Sequence, residues 1–237
     1  MHNDFFRFKQ FVIRHGQCAM KVGTDGVLLG AWVGVEGVMR ALDVGAGSGL
    51  IAIMLAQRTN ALIDAVEIDP QACAQARENI SACPWGDRIK VYHASFLDFT
   101  GNTNNGYDLI VSNPPFHSED IKPLHPGRRM ARHSETLDYK TIIEGGADML
   151  NTPGRLDLIL PANDAEPAVE KGTKVGLFCS RITWVIPAPG KSPARVLLEF
   201  CNRPAGCKGD RITIENGIRN EFTPEYRALT HDFYLKF

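Results

Sequence analysis

Short aliphatic runs alternate with stretches of helical apolar spacing through the centre of the chain, and that alternation predicts βαβ units around a parallel sheet. Arg40–Val44 (RALDV) reads as the first strand of this series, and Leu50–Arg58 (LIAIMLAQR) has the apolar density of a helix buried against a sheet. Leu62–Ile68 (LIDAVEI) is the second strand. A helix then starts at Asp69-Pro70: Asp69 suits an N-cap, and Pro70 suits the first helical position, where its missing N–H is no loss. It runs to about Ala82 and stops before Pro84. Ile89–Ala94 (IKVYHA) and Tyr107–Ser112 (YDLIVS) supply the third and fourth strands, and Tyr139–Leu150 reads as a helix. With Gly154–Leu160, Leu177–Ile186 and Arg195–Cys201 as further strands, the expected fold class is α/β, with a doubly wound, mostly parallel seven-stranded sheet.

Two regions depart from this pattern. Phe5–His15 alternates apolar and polar residues, as a small N-terminal strand or hairpin would. Phe116–Asp138 carries His, Pro, Gly and Arg without periodicity, and a loop of that length is usually a functional lid or a disordered segment. Pro224–Phe237 suits a short amphipathic helix. Without repeats or a Ser/Gly linker, one domain is expected over residues 1–237, made of an N-terminal extension (1–35) and a core (36–237).

Composition narrows the class. At 44% hydrophobic and 22% charged residues the chain is ordinary globular material, which excludes collagen-like and mostly disordered readings. No apolar stretch approaches the roughly 18 residues that a membrane span needs, so no membrane partner is expected. Asp4, Arg7, Lys9 and Arg14 interrupt any signal-peptide core. The 6 cysteines are dispersed with no C-x-x-C pair, which suits reduced thiols in a cytoplasmic protein and predicts neither a disulfide scaffold nor a metal site. The 26 Lys+Arg against 27 Asp+Glu leave a net charge of -1, so nucleic-acid binding must rest on a local patch.

Candidate chemistry begins at Leu42-Asp-Val-Gly-Ala-Gly-Ser-Gly49, between a strand and a helix. Glycines at 45, 47 and 49 let the backbone turn sharply and let a ligand approach closer than any Cβ would permit. The helix that follows offers free N–H groups and the positive end of its dipole. A nicotinamide oxidoreductase would carry G-x-G-x-x-G, but Leu50 stands where the last glycine belongs. Asp43 at the strand end can orient the loop or reach a cationic ligand. Glu67 closes the second strand about 20 residues after the turn, where a carboxylate binds both hydroxyls of an adenosine ribose.

The second motif, Asn113-Pro114-Pro115-Phe116, follows the fourth strand at the carboxyl edge, where α/β folds bind ligands. An exocyclic amino group on a purine is a poor nucleophile because its lone pair is delocalised into the ring. The Asn113 side-chain oxygen and the Pro114 carbonyl could each accept one N–H, drawing the nitrogen toward tetrahedral geometry. Locked φ angles at Pro114 and Pro115 would hold the carbonyl direction, and Phe116 offers a face for stacking, worth roughly 1–3 kcal/mol in single-strand binders. The tetrapeptide alone leaves adenine, guanine and glutamine open as acceptors.

The run LDVGAGSG, the terminal acid of AVEIDP and the NPPF tetrapeptide together resemble the class I, Rossmann-like methyltransferases that use S-adenosylmethionine. The resemblance implies that Asp43, Gly45, Ala46, Gly47 and Gly49 wrap the methionine part of that cofactor, that Glu67 holds the ribose, and that Ile68 and Phe96 lie alongside it. Ser95 stands where many relatives place an Asp toward the adenine amino group, with Asp98 as its alternative. Three further stretches are similar to a bacterial family of tRNA adenine-N6 methyltransferases that modify valine tRNA at nucleotide 37. They are Cys18-Ala-Met-Lys-Val-Gly-Thr-Asp-Gly-Val-Leu-Leu-Gly-Ala-Trp32, Pro84-Trp85 before Asp87-Arg88-Ile89, and Arg128-x-x-Ala-Arg132, joined by Ala228-Leu-Thr-x-x-Phe-Tyr234. In that family the Lys21–Asp25 segment folds over the cofactor cleft, which implies Lys21, Thr24 and Asp25 near the methionine end; Thr24 or Asp25 as a helix N-cap is the structural alternative.

Lys122, His125, Arg128, Arg129, Arg132 and His133 concentrate positive charge after the acceptor motif. They read either as a solvated basic loop or as groups that position phosphates beside the site. Arg7, Lys9 and Arg14 could extend the same surface. The expected partner is a tRNA anticodon loop, where unstacking a base costs least. The same chemistry on rRNA, DNA or a protein glutamine, and a non-catalytic cofactor-sensing RNA-binding protein, are the alternatives.

Overall fold

The computed structural model describes residues 4–102, 106–115 and 137–237. Strands β1 (Phe5–Arg7) and β2 (Val12–Arg14) form an antiparallel hairpin. Helix α1 (Thr24–Trp32) leads into a regular alternation: β3 (Arg40–Val44), α2 (Leu50–Arg58), β4 (Leu62–Glu67), α3 (Pro70–Ser81), β5 (Ile89–His93), α4 (Phe96–Asn102) and β6 (Tyr107–Ser112). The second half comprises α5 (Tyr139–Met149), β7 (Leu150–Pro161), α6 (Ala165–Lys174), β8 (Phe178–Ile186), β9 (Arg195–Cys201), β10 (Lys208–Thr213) and α7 (Pro224–Thr230).

The central sheet has the order β10-β8-β9-β7-β6-β3-β4-β5. Strands β5, β4, β3, β6 and β7 are parallel, and β9 is inserted antiparallel between β7 and β8. The order runs one way from β3 through β4 to β5 and the other way through β6 to β7, so β3 and β6 flank the switch point where ligands bind in such sheets. One core packs α1, α2 and α3 on one face, with Leu28, Ile53 and Ile80 among its buried residues. The other packs α4, α5 and α6 on the opposite face through Phe99, Ile143 and Ala168.

All seven expected strands are present, and the sheet gains an eighth. β10 (KGDRIT) has only Ile212 buried, so it lacks the apolar alternation that announces a strand. Backbone pairing with β8 defines it, and Lys208, Asp210 and Arg211 blunt the exposed sheet edge. Two helices also lie outside the sequence expectation. α4 is too short to show a period, and α6 interrupts its apolar spacing with Pro167 and Gly172.

α1 is apolar on nearly all sides because it is sandwiched between the sheet and α2. Gly26 and Gly30, four residues apart, let the two helices meet: a Cβ on Gly30 would lie 2.8 Å from Met54 Sδ, and one on Gly26 would lie 3.1 Å from Leu50 Cδ2. The N-terminal hairpin closes over the C-terminal aromatics, with Phe6 and Tyr234 ring centroids 5.9 Å apart. Lys9 Nζ donates to the carbonyls of His231 (2.6 Å) and Phe237 (2.9 Å). Lys9 therefore ties the N-terminal hairpin to the C-terminal segment.

Candidate functional site

The glycine turn and the acid at the end of β4 form one hydrogen-bonded unit. Gly45 (φ 72°), Gly47 (φ 54°) and Gly49 (φ 79°) all occupy the left-handed region that side chains disfavour. The amides of Gly45 and Ala46 donate to Val66 O at 2.9 and 3.0 Å, holding the turn against β4. Glu67 reaches into the turn: its Oε2 accepts from Gly47 N at 2.7 Å and its Oε1 from Asp69 N at 2.8 Å. A carboxylate has about four acceptor sites, so Glu67 keeps capacity for two ribose hydroxyls while its orientation is fixed. The other side of the turn is tied to α3, where Asn79 Nδ2 donates to Ser48 O and Arg14 O, each at 2.8 Å, and Asn79 Oδ1 accepts from Arg14 N at 2.9 Å. One buried amide thus joins the glycine turn to the N-terminal hairpin.

Asp43 is buried beneath the turn. Its Oδ2 accepts from Ala52 N at 3.0 Å, whereas its Oδ1 is buried with no hydrogen-bond partner. Burial, with a smaller push from the Glu67 charge, raises its pKa to about 7, against the pull of the Ala52 hydrogen bond. A group whose folded pKa lies above its unfolded value of 3.8 contributes stability at low pH and loses it as pH rises toward 7. Asp43→Asn keeps an oxygen for Ala52 N and removes the titration. Denaturation of the ligand-free protein should therefore lose stability between pH 4 and 7 in wild type, by about 4 kcal/mol at most. The variant should flatten that decline; equal slopes would show that Asp43 does not titrate there.

Asn113 begins where β6 ends. Register pairs Ser112 with Val44, and Ser112 Oγ donates to Val44 O at 2.7 Å, so Asn113 emerges beside the start of the glycine turn. Its Oδ1 is buried without a partner, and its Nδ2 lies 4.0 Å from the Cβ position at Gly26 of α1. An acceptor withheld from water and left unpaired carries a desolvation cost of about 1–3 kcal/mol, which a ligand N–H would relieve. Pro114 is buried and Pro115 exposed. Leu137 returns over the turn, with its Cδ2 3.1 Å from where a Cβ on Gly45 would stand.

The remaining predicted residues divide clearly. Ile68 is exposed next to Glu67, and His93 Nε2 lies 3.0 Å from Ile68 O. Ser95 is the cap of α4, accepting from Asp98 N at 3.0 Å and donating to Asp98 Oδ2 at 2.6 Å. The Ser-x-x-Asp spacing is the signal that could have announced this cap. The Phe96 side chain belongs to the core, beside Gly145, which leaves its backbone for a ligand.

Lys21 and Thr24 are exposed ahead of and at the start of α1. The N-cap is Gly23, without a side-chain cap bond, so the capping alternative for Thr24 and Asp25 falls. Asp25 instead accepts from Arg195 Nε at 2.8 Å. The Cys18 thiol is pushed up to about 11 by burial and by the charges of Glu67 and Asp69. Phe116, Lys122, His125, Arg128, Arg129, Arg132 and His133 lie outside the described residues. Arg195, Asn79 and Leu137 are the site neighbours that sequence reasoning missed, because each acts through a contact between elements distant in the chain.

A doubly wound sheet with a glycine turn and an acid-tipped second strand at its switch point defines a class I methyltransferase. Residues 27–168 match the methyltransferase small domain family. Solved structures agree on the fold: a predicted O-methyltransferase from Agrobacterium tumefaciens superposes with a TM-score of 0.65 at 18% identity, covering 88% of this chain and 96% of that one. The ribosomal protein L11 methylase of Lactobacillus delbrueckii subsp. bulgaricus gives 0.56 at 15% identity, covering 79% and 82%. Among curated relatives, the tRNA1(Val) (adenine(37)-N6)-methyltransferase of Parabacteroides distasonis is 43% identical over 237 residues, covering 100% of both chains. Those of Trichodesmium erythraeum and Phocaeicola vulgatus are 44% and 45% identical, covering 100% and 99% of both chains respectively. The chain belongs to the tRNA1(Val) (adenine(37)-N6)-methyltransferase family.

Proposed function

We propose that this enzyme transfers the methyl group of S-adenosylmethionine to N6 of the adenine at position 37 of valine tRNA. The observation that carries the reading is the buried, unpartnered Oδ1 of Asn113 at the end of β6, beside the glycine turn. The residues present suit the cofactor: the turn has left-handed glycines where side chains would intrude, Glu67 is oriented with acceptor capacity remaining, and Asp43 holds an orphaned oxygen beneath. Gly45, Ala46, Gly47 and Gly49 would hold the methionine part, with Lys21 and Thr24 at its mouth. Glu67 would hold the ribose, with Ile68 and the Ser95–Asp98 pair toward the adenine. When bound, S-adenosylmethionine supplies an electrophilic methyl on a positively charged sulfur and leaves as the neutral thioether S-adenosylhomocysteine.

The chain's own part is orientation. Asn113 Oδ1 accepts one N–H of the acceptor amine and the Pro114 carbonyl accepts the other, so that the nitrogen lone pair faces the methyl. The proton lost from nitrogen passes to solvent after transfer, and no strong base is needed. Positioning of this kind supplies several kcal/mol of rate. Phe116 would stack the extruded base, and Lys122, Arg128, Arg129 and Arg132 would bind phosphates around the anticodon loop. Residues 1–237 act as one unit in this reading, with residues 1–35 over the cleft, in the cytoplasm and without a metal. Among the described residues no helix is long and apolar enough to cross a membrane, and no group of His, Cys, Asp and Glu could hold a metal ion.

The test is nucleoside mass spectrometry after incubating the protein and cofactor with unmodified total tRNA. N6-methyladenosine confined to valine tRNA is the expected result. Methylation of rRNA, DNA or a protein glutamine in its place would reassign the acceptor. Binding of both ligands without product would make the chain a cofactor-sensing RNA-binding protein.

A further inference from the structure

α1 is tied to the far half of the sheet at both ends. At its C-terminus Trp32 Nε1 donates to Thr183 Oγ1 of β8 at 3.0 Å, and the Arg181 guanidinium lies over the Trp32 ring, 4.1 Å from its centroid. At its N-terminus Arg195 Nε donates to Asp25 Oδ2 at 2.8 Å.

The register explains why an arginine from so late in the chain stands there. β9 runs antiparallel to β7, so its first residue, paired with Pro161 and Val185, lies at the carboxyl end of the parallel strands. Alternation puts Arg195 on the same face as Leu197, which packs in the core shared with α1. The residue before it is held on both sides, since Ala194 N donates to Val185 O at 2.9 Å and Ala162 N donates to Ala194 O at 3.2 Å. Arg195 Nη1 also donates to Ala194 O at 3.0 Å, which orients the guanidinium. The ion pair is partly buried, with side chains 32% and 23% exposed, so it differs from the freely solvated pairs that contribute little.

One residue beyond Asp25, Gly26 faces Leu50 of α2 and the Asn113 amide: a Cβ added there would lie 3.1 Å from Leu50 Cδ2 and 4.0 Å from Asn113 Nδ2. The first turn of α1 is therefore one wall of the space that holds Asn113. We propose that the Asp25–Arg195 pair is a latch that sets this wall against Asn113, which makes Arg195 a positioning residue for methyl transfer. The proposal rests on the function above and adds a requirement to it: a group on β9, outside the cofactor turn and the acceptor motif, controls the rate. It also gives Asp25 a role separate from holding the methionine end of the cofactor.

The test is steady-state kinetics with S-adenosylmethionine and unmodified valine tRNA for wild type, Arg195→Gln, Arg195→Lys, Asp25→Asn and the Asp25→Asn/Arg195→Gln double variant, with melting temperatures alongside. Arg195→Gln should lower kcat about tenfold or more, as a misplacement near 1 Å does, with KM for both substrates within about threefold and melting within a few degrees. Arg195→Lys should recover most of the loss, and the double variant should be no slower than the slower single one. An unchanged kcat, a loss seen only as a raised KM for the cofactor, or effects that multiply in the double variant would each overturn the latch. A wild-type enzyme that leaves tRNA unmethylated would overturn the functional reading itself, whatever the variants do.

Discussion

Asn113→Ala is expected to lower tRNA methylation by roughly 10²–10³-fold, the range seen when one preorganised group facing a transition state is removed. Cofactor affinity, read by calorimetry, should stay within about threefold. The asymmetry follows from where Asn113 sits. It is beyond the last paired residue of β6 and takes no part in the bonds that hold the glycine turn, which come from Val66, Glu67 and Asn79. Its Oδ1 has no partner to lose, so truncation removes a buried unsatisfied acceptor and should leave melting unchanged or slightly raised. Asn113→Asp provides the complementary case. It keeps the shape and the oxygen, but it places a charge where the Asn113 Oδ1 is buried without a partner, and should be nearly as inactive. A variant with near wild-type turnover would remove Asn113 from the chemistry.

Glu67→Ala should act on the opposite half of the site. Removing the carboxylate leaves Gly47 N and Asp69 N without their acceptor, so the turn loses its set before any ligand arrives. With hydrogen bonds to a charged group worth about 1.5–3 kcal/mol, cofactor affinity should fall roughly 10–100-fold. At saturating cofactor most of kcat should return. Glu67→Gln tests whether charge or shape matters: its amide can present one oxygen to Gly47 or Asp69, but its NH2 must then face the other N–H. It should bind nearly as poorly as alanine. Unchanged affinity in both variants would take the ribose from Glu67.

The two predictions together divide the proposed site into a cofactor half organised around β3 and β4 and an acceptor half at the end of β6, each with its own readout. Both halves were legible in the sequence for a local reason. A glycine turn, a strand-ending acid and an Asn-Pro-Pro run each combine residue types that have few other uses at the end of a buried strand. Hydrophobic periodicity placed them correctly because each of those strands is buried on both faces and short. Where burial is one-sided or slight, periodicity was silent: β10 is held by backbone pairing with Ile212 as its one buried side chain, and α4 is too short to repeat.

Side-chain direction was the harder quantity. Phe96 neighbours Ser95 at the cleft rim, yet the helix that starts there turns its ring into the core, against Gly145. Asp25 suited an N-cap by residue type, but the chain enters α1 through Gly23 and brings Asp25 to an arginine 170 positions away. Sequence spacing holds no information about such a meeting, because it depends on β9 being inserted antiparallel beside β7.

By itself, then, the amino-acid sequence determined the order of the strands β3–β9 and of helices α2, α3 and α5, the glycine turn, the strand-ending acid beside it and the Asn-Pro-Pro run, since these depend on backbone preferences and burial within about a dozen consecutive residues. Tertiary structure alone decided that Glu67 locks onto Gly47, that Asn79 ties the turn to the hairpin, that the Asn113 oxygen is left unpaired, and that Arg195 braces α1. Each of those depends on which elements the sheet order brings together, and hydrogen bonds between them form only once packing has excluded water from the contact.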